Sequence, residues 1–206
     1  MDKILLSTAY LPPINYLSRI AHADEITIEA HESYAKQTFR NRCQIYSPNG
    51  LQALIIPINK VNGNHTKTAD IQISNHSDWR SHHWKSLLTA YNSSAFFMYY
   101  KDEIWRTLQF PSTHLIKYNM HILNFLLMEI GIKKTIKISE EYVYNPPETE
   151  DLRTSINPKS KVPINNPKYY QLYSQKNGFL ENLSILDLLF NEGPNTLNYL
   201  QSMSQK

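Results

Sequence analysis

The sequence predicts an α/β fold, a mixed sheet with helices packed across it, from three observations. These are a strand–helix–strand opening, a turn-divided hairpin at 37–58, and a run of amphipathic helices after it. Ile4-Leu5-Leu6 is a short unbroken apolar run, the signature of a strand buried on both faces, and Pro12-Pro13 ends it. Pro13 suits the first turn of a helix, and Ile14, Leu17, Ile20 and Ala21 then recur at helical spacing. Asp24 precedes Ile26-Thr27-Ile28-Glu29, a second strand, so the opening has the spacing of a parallel βαβ unit.

In residues 37–58 the pattern turns to strict alternation. Phe39, Asn41, Cys43 and Ile45 are expected on one face, and Arg40, Arg42, Gln44 and Tyr46 on the other. Pro48-Asn49-Gly50 supplies the turn and Leu51 to Ile58 the returning strand, with Ile71 and Ile73 marking one more short strand. Ser77 or Asp78 can cap a helix carrying Trp84, Leu87, Leu88 and Tyr91. Ser93 or Ser94 can cap a second, with Phe97, Ile104 and Leu108 inward. Ser112 can cap a third, which ends at Gly131. A strand is expected within Thr135 to Ile138.

Residues 144–168 concentrate prolines, asparagines and scattered charges. Only a short remainder follows, too small for a core of its own, so the whole of 1–206 is expected to be one domain with an ordered excursion at 144–168. A helical segment at 182–202 closes it: Ser184 to Asn191, then Gly193-Pro194 as stop and restart, then a last short helix.

Composition narrows the function classes. The net charge of +3 is small and evenly spread, which argues against a nucleic-acid partner. The longest apolar stretch, around Ile122 to Ile130, is interrupted by Asn124 and Glu129, so no membrane span is expected. The single cysteine, Cys43, fits a reducing compartment, and the first residues lack the apolar core of a secretion signal, so the expectation is a cytoplasmic protein. With 5 glycines, a dinucleotide fingerprint cannot be assembled, and no phosphate loop, nucleophile elbow or zinc helix is present to specify a cofactor. His82 and His83 point about 100° apart on a helix, and His114 and His121 lie two turns apart, so no metal site is expected.

The hairpin is the better candidate for binding. Arg40 and Arg42 would emerge about 7 Å apart on one strand face, and guanidinium forks match phosphates and carboxylates. The alternative is that both pair with acids such as Glu29 and Glu32. Ligands of such sheets bind beyond the carboxyl ends of strands, which places Thr8 and Tyr10 near any pocket.

Taken together, Tyr10-Leu11-Pro12, Tyr16, Ile20-Ala21-x-Ala23-Asp24, Asn41-Arg42, Ile45, Pro48-Asn49-Gly50, Ile56-Pro57-Ile58, Trp79, His83, Tyr91, Phe97, Tyr100 and Asn119 resemble the WbqC-like protein family. The ending from Ser184 to Pro194 resembles a short subgroup common in Bacteroidetes. The resemblance marks Asn41, Arg42 and His83 as family positions and points to genes of O-antigen and other surface polysaccharides. The family's biochemical activity is largely unassigned, and the first expectation is an enzyme, a transferase acting on an activated sugar or a carrier-linked intermediate in surface-polysaccharide synthesis. In that reading Arg42 binds a small anionic ligand, a phosphate or carboxylate, Asn41 orients it, and His83 moves a proton near neutral pH as the catalytic group. The other reading is a non-catalytic binding or assembly protein of the same pathway. The family's opening carries a histidine where this chain has Leu6.

Overall fold

A computed structural model describes residues 2–144, 146–160 and 167–204. The fold is α/β. Strands β1 (Lys3–Ser7) and β2 (Glu25–Glu29) pair in parallel, joined by helix α1 (Ile14–His22), as the opening apolar pattern predicts. Strand β7 (Ile136–Ile138) adds in parallel to β2, and β8 (Thr149–Asp151) adds in parallel to β1, giving the order β7-β2-β1-β8. Ile4, Leu5 and Leu6 are all buried, so both faces of β1 are covered, as expected of a central parallel strand.

Between β2 and β7 the chain builds the hairpin β3 (Arg42–Ser47) and β4 (Gly50–Ile55), and the short pair β5 (Ile58–Asn59) and β6 (Gln72–Ile73). It then runs through helices α2 (Trp79–Tyr91), α3 (Phe97–Leu108) and α4 (Leu115–Ile130). Asp78 caps α2 by accepting from the Ser81 N–H. Gly131 ends α4 in the left-handed region, φ 84°, which a side chain would resist. After β8 come α5 (Ser174–Asn177), α6 (Ile185–Glu192), capped by Ser184, and α7 (Thr196–Ser202), which packs on α1. Among the described residues no helix is long and apolar enough to cross a membrane.

Two boundaries of the hairpin region differ from the expected ones, and α3 and α4 begin at Phe97 and Leu115 without the side-chain caps expected from Ser93, Ser94 or Ser112. The first hairpin strand begins at Arg42, because residues 36–41 form turns in which Gln37 takes φ 59°. Those turns carry Phe39 and Arg40 inward, where the Phe39 carbonyl accepts from Tyr10 N–H at 2.9 Å, so Arg40 and Arg42 do not share a strand face. The returning strand stops at Ile55, and Ile58 belongs to the separate pair with β6 across Pro57, which has no N–H for a ladder. The excursion at 144–168 supplies an unforeseen strand, β8; its residues 145 and 161–166 lie outside the described residues.

The carboxyl ends of the four parallel strands are tied together by one side chain. Glu29, the last residue of β2, is fully buried. Its Oε1 accepts from the His31 N–H (2.8 Å) and Ser139 Oγ (2.8 Å). Its Oε2 accepts from the Val143 N–H (2.9 Å) and Arg153 Nη1 (3.3 Å). Ser139 follows β7 and Arg153 follows β8, so the carboxylate spans the edge from one end of the sheet to the other. Replacing Glu29 by Ala strands two backbone donors and half of an ion pair, and is expected to cost about 3 kcal/mol. Urea unfolding followed by circular dichroism measures this, and an unchanged midpoint would show that the edge does not depend on the carboxylate.

Candidate functional site

Strand β1 connects through α1 to β2 on one side, while β8 joins it from the other, so the gap beyond β1 and β8 is a topological switch point. That gap is lined by Ser7, Thr8, Tyr16, Phe39, Arg40 and Leu152, among others, and encloses only about 10 Å³. Room for a larger group opens on the other side of Phe39. A cleft of about 170 Å³ lies there, walled by Asn15, Gln44, Asn157, Ser160, Glu181 and Asn182. Such a wall of amides, hydroxyl and carboxylate offers hydrogen bonds in both directions.

Arg40 organises the inner part. Its Nε donates to Glu32 Oε1 (2.9 Å), and its Nη2 reaches both Glu32 Oε2 and Ser7 Oγ at 2.7 Å. The pair is almost entirely buried, where a bidentate guanidinium–carboxylate geometry is needed to offset desolvation. Ser7 Oγ also lies 3.2 Å from the Arg153 carbonyl, which links this pair to the Glu29 network. Asn119 of α4 donates to the Arg40 carbonyl (2.8 Å) and to Thr8 Oγ1 (3.2 Å). For Arg40, then, pairing with an acid is the outcome, whereas Arg42 has no carboxylate partner among the described residues.

The residues singled out in the sequence fall into two groups. Thr8 lines the inner gap, and Arg42, half-buried at the start of β3, presents a buried Nε with no hydrogen-bond acceptor. Asn41 is fixed to Ile56 in both directions, its Nδ2 donating to the Ile56 carbonyl (2.8 Å) and its own carbonyl accepting from the Ile56 N–H (2.8 Å). Tyr10 and His83, by contrast, meet inside the core. The Tyr10 hydroxyl lies 2.9 Å from His83 Nδ1, and Trp79 and Tyr118 pack their rings around the pair. The backbone of Ile55 also interacts with the imidazole, favouring its protonated form but not enough to offset burial. Burial pushes His83 down to about 4, so the ring is neutral throughout the neutral range.

Leu6 is a wholly buried apolar residue of β1. Cys43 is buried as well, and burial pushes its thiol up, away from the reactive thiolate. Among the described residues no group of three histidine, cysteine or acidic side chains is placed to hold a metal ion.

The Arg40–Glu32 pair is the acid pairing that the sequence offers as an alternative, whereas Arg153 and the bonds it shares with Glu29 depend on where later turns aim a side chain and leave no local signal. Asp187 of α6 is a buried carboxylate. It accepts from Tyr169 (2.5 Å) and Gln171 (3.4 Å) and is also bonded by Tyr91. Those bonds tie the segment after the excursion to α6. The adjoining turn is strained: Leu11 is buried with φ 39°, clamped by Ser184 Oγ donating to its carbonyl at 3.0 Å.

Asp187 and His83 act on stability in opposite senses. Burial lifts Asp187 to about 6 from an ordinary 3.8, so the folded state holds its proton longer and stability falls as pH rises through that interval. His83 lowered to about 4 from 6.5 makes the folded state release its proton earlier, so stability falls as pH drops through that interval. Each effect is on the order of 2–3 kcal/mol. Relative to wild type, Asp187→Asn is therefore expected to gain stability on going from pH 4 to 6. His83→Gln is expected to lose it over the same range. Chemical unfolding at three pH values reads both differences, and identical profiles for all three proteins would refute the assignment.

Comparison with known proteins places this architecture. The chain aligns at 27% identity, over all of its length and all of the relative's, with an uncharacterized protein, Rv1507c, from Mycobacterium tuberculosis. No solved structure matches. The model of the WbqC-like protein family matches residues 8–161 and 144–199, a span that includes the inner gap, the hairpin, the polar cleft and α6. The chain belongs to the WbqC-like protein family.

Proposed function

We propose that the carboxyl edge of the sheet binds an activated sugar, the glycosyl group in the polar cleft and its phosphate against Arg42, and that the protein transfers a group on this substrate. Two buried atoms without a protein partner carry the reading. Arg42 Nε is a donor awaiting an acceptor, and Asn15 Oδ1, on the cleft wall, is an acceptor awaiting a donor. A phosphate oxygen satisfies the first and a sugar hydroxyl the second. Arg42 stands two residues from Gln44 of the cleft wall, about 7 Å along the strand. Lys60, whose ammonium lies 5.4 Å from the Tyr34 ring centre, adds positive charge on this side; Tyr34 also feels both Arg40 and Arg42.

Within this scheme Thr8 and Asn41 shape the anion side of the site. His83 is a positioning residue: it holds Tyr10, whose N–H holds the Phe39 carbonyl, and Phe39 divides the inner gap from the cleft. A carrier-linked intermediate of bacterial surface polysaccharide would present the same pairing of sugar and phosphate, and the family's setting supports it.

A thermal-shift panel of nucleoside-diphosphate sugars, nucleotides and inorganic phosphate tests the proposal. A ligand at 100 times its dissociation constant adds about 2.7 kcal/mol of stability. The expected result is a shift with a sugar-bearing member that Arg42→Ala abolishes while keeping the unliganded melting temperature. A variant that unfolds, or one that keeps the full shift, would remove Arg42 from the site. Binding without turnover of any member would favour the non-catalytic reading.

A further inference from the structure

Away from the sheet edge, the ends of two helices converge on a groove of about 490 Å³. Gly131 terminates α4 and Gly193 terminates α6, and both line it, together with Phe96, Tyr99, Tyr100, Met128, Glu129 and Pro194. The carboxyl end of α4 carries partial negative charge toward this space, while at Gly193 the carboxyl end of α6 meets the amino end of the turn leading into α7, and their partial charges offset each other. Glu129, half-buried in the last turn of α4, adds a full charge where the helix dipole disfavours it, and among the described residues it has no salt-bridge partner. Local electrostatics alone would not place a carboxylate there.

The groove also has an aromatic wall. The rings of Tyr99 and Tyr100 meet edge to face at 4.8 Å, and Tyr99 is 78% exposed. Burial, and then the nearby Tyr99 and Glu129, push the Tyr100 phenol up, consistent with a carboxylate close to that ring. The floor is built closely: a Cβ on Gly193 would fall 2.5 Å from the Phe96 ring, so only glycine lets this aromatic side chain sit against the helix end. A space of this volume is within the range of small-molecule sites. Tyrosine faces, a carboxylate and the carboxyl end of α4 all attract positive charge, and Phe96, Met128 and Pro194 accept apolar substituents.

We propose that this groove binds an organic cation, a substituted ammonium, with its charged head between Glu129 and the tyrosine rings. The site is separate from the sugar cleft and does not depend on it.

Calorimetric titration of the full chain with choline, with spermidine, and with 3,3-dimethylbutan-1-ol, the uncharged counterpart of choline, provides the test. Choline or spermidine is expected to bind about tenfold more tightly than the uncharged compound, a difference that follows from the charge-dependent contacts. Preference for choline identifies a quaternary head, and preference for spermidine a polyamine. Glu129→Gln and Tyr99→Ala should each weaken the cation several-fold, while leaving both the melting temperature and the binding of the uncharged compound unchanged. Equal affinity for charged and uncharged probes, no binding of either cation to the folded protein, or full affinity in Glu129→Gln would overturn the proposal.

Discussion

A single buried carboxylate sets the geometry on which the rest depends. Glu29 sits at the end of β2 with no solvent to neutralise it, and its four donors come from the segments following β2, β7 and β8. A parallel sheet is weakest at the ends of its strands, where the ladder stops and backbone groups lose their partners. Here that loss is offset by a charge that recruits donors from three crossings of the sheet. The register fixes the next step: Ser7 pairs with Glu29, so the hydroxyl that contacts both Arg40 and the Arg153 carbonyl is carried to the same level. Rigid strand ends then hold Thr8, Phe39 and Arg40 in place around the switch point.

This construction separates two arginines that look equivalent in sequence. Arg40 is satisfied inside the protein, and its bidentate bond to Glu32 is part of the scaffold. Removing one partner of such a buried pair leaves a desolvated charge, so its net contribution is mostly specificity of arrangement. Arg42 emerges where the turn gives way to β3 and keeps an unused buried donor. A scaffold that consumes one guanidinium and presents the next suits an anion that arrives with a ligand. The amides of Asn41 and Asn119 brace the backbone through their Nδ2 donors, and their Oδ1 atoms, like that of Asn15 on the cleft wall, are buried without a hydrogen-bond partner.

Much of the fold was legible because local chemistry determines it. The apolar run at Ile4-Leu5-Leu6, the Pro48-Asn49-Gly50 turn, the cap at Asp78 and the stop at Gly131 each follow from their own few residues, whereas Ser94 and Ser112 do not cap α3 and α4. Strand β8 was not legible, since Thr149-Glu150-Asp151 has no apolar alternation and is a strand only because the edge of β1 is there to receive it. The site divides the same way. Arg42 and Thr8 stood out by charge and by position after a strand. The Tyr10–His83 bond joins residues 73 positions apart, and the Glu29–Arg153 pair joins residues 124 apart. Neither separation leaves a periodic trace.

The central claim is that the ligand site lies at the carboxyl edge of the sheet, between the switch point and the polar cleft. Amide chemical-shift mapping of the 15N-labelled protein, titrated with a panel of nucleoside-diphosphate hexoses, tests it most directly. Shifts are expected to concentrate at Thr8, Ala9, Asn15, residues 39–44 and Asn157. Shifts confined to other surfaces, or none with any member at saturating concentration, would contradict it.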